Sequence, residues 1–327
     1  MGIKNLLKFL KNYKDVLLEK NINDYTGKRI AIDISILLYQ VIIAIRNTGA
    51  DMINNKGEMV SHILGLFNKT IILLNNGIIP IYVFDGKPPE LKYKLLNNRR
   101  QQKLNAKKKM ENVETSEEKI KYFKKCVSIS KVQMDECREL LTLMGIPYIN
   151  APEEADSQCA YLAKEGLVDA VLSEDMDILT FGSSRIIKNL ISKKKNPIEI
   201  NLNDILNKLN FTHEQFIEFC ILLGSDYMNG IMEINSKIIF EYYNKHKNIN
   251  DTLIDLKKHK YKVPDNLDYD NVKYYFQNSP HVKVTIDDLQ LNNINYNELI
   301  NFLVNKHGLI KYKIKNKLNN IINSYII

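Results

Sequence analysis

Four short apolar runs, each closed or soon followed by a carboxylate, constrain this chain more than any other feature of it. Lys28 to Ile34 (KRIAIDI) and Ile78 to Phe84 (IIPIYVF) read as buried strands, as do Ile146 to Ile149 and Asp169 to Leu172. Helical stretches fall between them, through Ile45, around residues 60–75, and from about Pro152 to Lys164. Strands alternating with helices predict an α/β fold, a mostly parallel central sheet flanked by helices. Such sheets place their sites outside the carboxyl ends of the strands.

Acids stand at those ends. Asp33 ends the first run, Asp85 closes the second, Glu154 and Asp156 follow the third, and Asp175 and Asp177 follow the fourth. One Asp after one strand is ordinarily a helix cap or a turn residue. Four strands repeating the arrangement point instead to carboxylates gathered at one place, which must take up protons or bind a cation. All-oxygen surroundings suit Mg²⁺, with Mn²⁺ able to substitute, rather than zinc. So many acids exceed the needs of one ion and predict two, about 4 Å apart. Asp175 and Asp177 share a face if their segment is extended. Glu154 and Asp156 would diverge by about 200° in a helix starting near Pro152, leaving one of them to act through a bound water.

The charge is unevenly spread. Between Lys87 and Lys131 stand fourteen Lys/Arg against five Glu, a local net of +9 in a chain whose total is +8. The ordinary reading of a lysine-rich helix is a solvated face. Here the basic side chains lie on every side and few apolar residues anchor them, a pattern suited to a phosphate backbone. The four cysteines (Cys126, Cys137, Cys159, Cys220) form no CxxC pair, which argues against zinc and against a disulfide framework, and for a reduced intracellular protein. No run reaches the roughly 18 apolar residues of a membrane span. The N-terminus lacks a signal-peptide core, and Leu6 breaks the myristoylation pattern after Gly2.

Six stretches in order carry a specific resemblance: MGIKNL, AIDISILLYQ, VFDGKPPELK, LLTLMGIPYINAPEEADSQCA, SEDMDILTFG and CILLGSDY. Together they make the chain resemble, over essentially its whole length, the flap endonucleases, structure-specific 5′ nucleases of the Rad2/XPG family. The resemblance implies a PIN-like 5′ nuclease core of 327 residues. Its parts would be an N-region (1–104), a basic helical gateway and cap (87–131), an internal nuclease region (121–252) with a helical hairpin at about 220–245, and a C-terminal helical part (253–327). It implies cleavage of 5′ flaps near a single-to-double-strand junction, 5′–3′ exonuclease activity, and service in DNA replication (Okazaki fragment maturation) and repair. By motif match Asp33, Asp85, Glu154, Asp156, Asp175, Asp177 and Asp226 are the metal-site carboxylates; Asp226 comes from the resemblance alone. Lys92 and Arg99 match the gateway residues that clamp the scissile phosphate. Tyr39 matches an aromatic that stacks on a nucleotide, and Gly2 would sit near the active site once Met1 is removed. Arg46, Ser61 and Lys69 lie in stretches resembling those that handle the upstream duplex and 3′ flap. The expected partner is branched or flapped double-stranded DNA, met by a monomer with no membrane attachment, at replication sites in the nucleus.

The chain departs from the family at the hairpin turn. Where the family has Gly-x-Gly-Pro, a cradle for duplex phosphate and a monovalent cation, this chain has Glu233-Ile234-Asn235-Ser236. Gly230 replaces a hydroxyl residue, and Lys237 remains as a phosphate contact. The reading predicts a different grip on the downstream duplex and weak or absent potassium dependence. The sliding-clamp box is expected to be absent or degenerate, with Asn319, Ile322, Tyr325 and Ile326 as its echo. Competing readings are a sibling 5′ exonuclease or junction nuclease, and a catalytically silent binder of DNA structures. Cleavage of a labelled 5′ flap in Mg²⁺ separates them.

Overall fold

The computed structural model describes residues 2–113, 115–192, 194–231, 233–264 and 267–325. Seven strands run in chain order as β1 (Leu18–Glu19), β2 (Arg29–Asp33), β3 (Ile79–Phe84), β4 (Tyr148–Asn150), β5 (Ala170–Leu172), β6 (Arg185–Lys188) and β7 (Ile198–Asn201). The chain divides into two compact units. The first comprises Met1–Asn21, Asp85–Leu95 and Ala151–Val282; the second comprises Ile22–Phe84, Leu96–Asn150 and Lys283–Ile327. The chain crosses between them repeatedly, so each expected sequence block contributes to both.

In the second unit β2, β3 and β4 are parallel, with Asp33 opposite Val83 and Val83 opposite Ile149. Ile30, Ala31 and Ile32 of β2 and Ile81, Tyr82, Val83 and Phe84 of β3 are buried without alternation, as parallel strands covered on both faces require. The helix Ser61–Asn75 buries Ile63, Leu66, Phe67, Ile71 and Leu74. Its Thr70 hydroxyl meets the buried Tyr82 hydroxyl at 2.8 Å, which satisfies both inside the core.

In the first unit β5 and β6 are parallel, whereas β7 runs antiparallel to β6 and β1 antiparallel to β7. The α/β class and the parallel ladders agree with the sequence. The antiparallel strands are too short, and too mixed with Lys, Glu and Asn, to carry a periodic signal. The helix His213–Leu223 opens with a Thr212/Gln215 capping box and is buried from Phe216 onward.

The basic stretch forms a turn (Glu90–Lys92) and two helices, Tyr93–Glu111 and Ser116–Lys125, ending as the helix Lys131–Leu143 begins. The first helix buries only Ala106 and the second buries nothing, so neither is held by a broad apolar face. Among the described residues none of the four cysteines is in a disulfide. Among the described residues no helix is long and apolar enough to cross a membrane. Of the degenerate clamp box, Ile326 lies outside the described residues.

Candidate active site

Six of the seven candidate carboxylates belong to the first unit. Asp85 directly follows β3, and its Oδ1 accepts from Ala155 N at 2.9 Å, the first amide of the helix Ala155–Lys164. The turn after it is pinned to the same loop, Gly86 N donating to Glu153 O at 2.6 Å and Lys87 N to Pro152 O at 3.2 Å. Asp85 therefore does the capping that Glu154, itself the N-cap residue, leaves undone. This helix starts three residues later than the sequence predicts. Glu154 is extended rather than helical, so the divergence of about 200° from Asp156 does not apply. Both are buried.

Lys92 closes this side of the site. Its Nζ donates to Glu154 Oε2, and both residues are 8% exposed. Burial alone would lower the Lys92 pKa, but Glu154, Asp156 and Asp226 outweigh it and hold the ammonium charged, above the ordinary lysine value.

Asp175 and Asp177 come together by a turn rather than along an extended face. Asp175 N donates to Ser173 Oγ at 2.9 Å, and Asp177 N donates to Asp175 Oδ1 at 3.1 Å. The intervening Glu174 is turned elsewhere, its carboxylate accepting from Asn189 N at 2.9 Å and facing Lys188 at 3.3 Å. Asp226 follows the helix His213–Leu223. One oxygen from each of Asp175, Asp177 and Asp226 lies within 4.8 Å of the others. Burial first, then Asp175 and Asp226, push Asp177 well above the usual carboxylate range. Asp177 is 2% exposed, and its Oδ1 has no hydrogen-bond partner among the described residues. A largely buried, mutually repelling set of hard oxygens with an unsatisfied acceptor fits a divalent cation.

The N-terminal segment lies on this cluster. A Cβ built at Gly2 would come 1.6 Å from Asp175 Oδ1, so only glycine fits there. Lys4 ties the segment to the loop carrying Asp226, its N donating to Gly224 O at 2.8 Å and its Nζ to Asn229 Oδ1 at 2.9 Å. That loop is closed tightly. A Cβ at Gly230 would stand 2.3 Å from Gly224 N, which leaves no room for the hydroxyl side chain of the family pattern.

At the hairpin turn Glu233 is exposed in the left-handed region (φ 65°) and faces Lys262 at 3.3 Å. Asn235 caps the helix Ser236–His246, its Oδ1 accepting from the exposed Lys237's N at 3.0 Å.

The second unit holds the other candidates. Asp33, 6% exposed, caps the helix Ile34–Arg46, its Oδ1 accepting from Ser35 N at 2.7 Å and Ile36 N at 3.2 Å. Tyr39 on that helix, Lys69 on the helix Ser61–Asn75 and Arg99 on the basic helix are partly exposed. Arg46 and Ser61, in stretches that resemble those handling the upstream duplex and 3′ flap, are buried. Arg46 is buried, its fork held by Asp51 at 2.8 and 2.9 Å and by Phe123 O at 2.9 Å, with the Phe123 ring 4.1 Å away. Ser61 is fully buried and accepts from Met52 N at 2.9 Å. Both brace the fold where they stand. Two contributors went unread in the sequence: Ser173, whose place two residues before Asp175 is a turn signal, and Tyr227, whose ring lies beside Lys92.

Known proteins share this framework. The XPG N-terminal domain model matches residues 1–106 and the XPG I-region model residues 145–226. Human flap endonuclease 1 is 38% identical over 322 residues, covering 96% of this chain and 85% of its own. The solved flap endonuclease-1 of Methanococcus jannaschii aligns at TM-score 0.74 with 34% identity, covering 96% of this chain and 98% of that one. A catalytic core of Rad2 in complex with DNA substrate aligns at TM-score 0.77 with 24% identity, covering 98% and 100%, a likeness of fold.

Proposed function

This chain belongs to the flap endonuclease family, and on that premise we propose that it is a Mg²⁺-dependent 5′-flap endonuclease and 5′–3′ exonuclease acting on branched DNA in replication and repair. The family is metal-dependent, and the observation that carries the reading is the triad of buried Asp175 and Asp177 with half-buried Asp226, its oxygens within 4.8 Å of one another beside the Lys92–Glu154 pair. Asp85, Glu154 and Asp156 line the same unit, and Asp33 is assigned with them by its motif. These residues would hold two ions, Mg²⁺ with Mn²⁺ as substitute. Divalent ions so held supply a nucleophile at neutral pH and offset the charge of the leaving oxygen.

The chain's own residues do the rest. Lys92, a permanent cation inside the carboxylate set, grips the scissile phosphate, and Arg99 is assigned the same role by its motif. Asp85 fixes the first helix amide, so the Glu154–Asp156 turn is rigid before substrate arrives. Gly2 lets backbone approach the cluster where a side chain would fill it. The two basic helices guide the 5′ strand by phosphate attraction. Tyr39 stacks a nucleotide, and Lys69 and Lys237 serve as phosphate contacts. The expected setting is the nucleus, at replication sites, with the protein acting as a monomer.

The test is cleavage of matched single-flap, double-flap, nicked and four-way substrates with and without Mg²⁺. The double flap is cut best, one nucleotide into the duplex, to a 5′-phosphate and a 3′-hydroxyl. Preferential cutting of the four-way junction would favour a junction nuclease, and binding without cutting a silent scaffold.

A further inference from the structure

Lys92 has a second neighbour. Its Nζ stands 5.0 Å from the centroid of the Tyr227 ring, within the range of a cation–π attraction. We infer that Tyr227 is a positioning residue for Lys92, its ring face holding the ammonium in line while leaving the N–H donors free for a phosphate. The inference rests on the reading of Lys92 as the phosphate grip.

A lysine reaches through four flexible carbons, so an ammonium meant for one oxygen must be held against its rotamer freedom. Glu154 holds it from one side. Carboxylates alone would draw all three donors into the acid cluster. A ring face attracts the charge without accepting a conventional hydrogen bond, which suits a group that must turn toward substrate.

Tyr227 is built to stay in place. It is 7% exposed, its N donates to Ser225 Oγ at 3.2 Å, and its ring meets Tyr275 at 5.1 Å, Phe276 at 5.2 Å and Phe181 at 6.0 Å, the last two edge-on. Tyr275 is anchored in turn, donating from its hydroxyl to Glu153 Oε2 at 2.9 Å. The Tyr227 hydroxyl is buried without a hydrogen-bond partner among the described residues. The face of the ring, rather than the hydroxyl, is therefore the working part.

The test is single-turnover cleavage of a labelled 5′-flap DNA in Mg²⁺ by Tyr227→Leu, Tyr227→Phe, Lys92→Ala and the double variant Lys92→Ala/Tyr227→Leu. Tyr227→Leu should slow the maximal rate between about 2- and 30-fold, the span of cation–π strengths, while half-saturating DNA stays within about 2-fold. Tyr227→Phe should lose far less, and in the Lys92→Ala background Tyr227→Leu should add under about 2-fold. Equal losses in both backgrounds would overturn the inference by showing plain packing, and so would a Tyr227→Phe loss as large as that of Tyr227→Leu. Lys92→Ala cutting at the parent rate would instead sink the reading of Lys92. Should Tyr227→Leu fail to fold, phenylalanines with one to four ring fluorines at 227 serve in its place. Rates that fall stepwise with fluorination support the inference, and a flat series overturns it.

Discussion

Lys92 and Glu154 form an ion pair in which each residue is more than nine-tenths buried, the ammonium donating into a carboxylate assigned to metal. Removing one member leaves the other uncompensated, which costs about 3 kcal/mol or more. Lys92→Met should lower unfolding free energy by that amount in urea melts, and adding Glu154→Gln should restore more than half. Full additivity of the two losses would show that the pair is not coupled.

Asp177→Asn should separate stability from activity. Burial, Asp175 and Asp226 all oppose its charge, so an isosteric amide relieves repulsion in metal-free protein. We expect a melting temperature higher by about 2 °C in EDTA, from about 1 kcal/mol, a smaller rise on adding Mg²⁺ than the parent shows, and flap cleavage slowed about 1,000-fold. A lower melting temperature in EDTA would contradict the electrostatic account.

Buried histidines set an acid limit. Burial lowers the His62 pKa below the ordinary value, against the pull of Glu136 at 2.7 Å, and it lowers His213 and His307 likewise. A depressed pKa means the unfolded chain binds the proton first. The stability from these groups is therefore present above about pH 6.5 and lost as pH falls through the folded values. The stability difference between the parent and His62→Gln should shrink from pH 8 to pH 5; a widening difference would refute the assignment.

At the hairpin turn Asn235 takes an amide that a phosphate would use, and Glu233 adds a negative charge. Cleavage in KCl and NaCl at equal ionic strength should agree within about 2-fold. Glu233→Gln should tighten duplex binding several-fold by removing one repulsion of about 1 kcal/mol. A strong potassium preference would refute this reading.

Much of the site was legible because burial and charge conflict openly in the sequence. Asp33 and Asp85 close apolar runs at the carboxyl ends of β2 and β3, where parallel sheets keep their sites. Asp226 was not legible on physical grounds, since it follows a helix, and the loop that seats it depends on close packing of Gly224 and Gly230. Glu154 was misplaced locally because Pro152 signals a helix start, yet the Asp85 cap delays the helix to Ala155. Arg46 and Ser61 carry contacts that their motif does not announce. Their side chains are engaged by Asp51, Phe123 and Met52, partners the motif does not specify.

The proposed function stands on divalent ions held by the carboxylate cluster and used to cut flapped DNA. The most direct measurement is single-turnover cleavage of a 5′-labelled double flap across a Mg²⁺ titration, with Asp175→Ala as control. A single incision at the junction should rise with Mg²⁺, vanish in EDTA and be lost in the variant. Intact DNA at every Mg²⁺ and Mn²⁺ concentration, or equal cutting by Asp175→Ala, would contradict it.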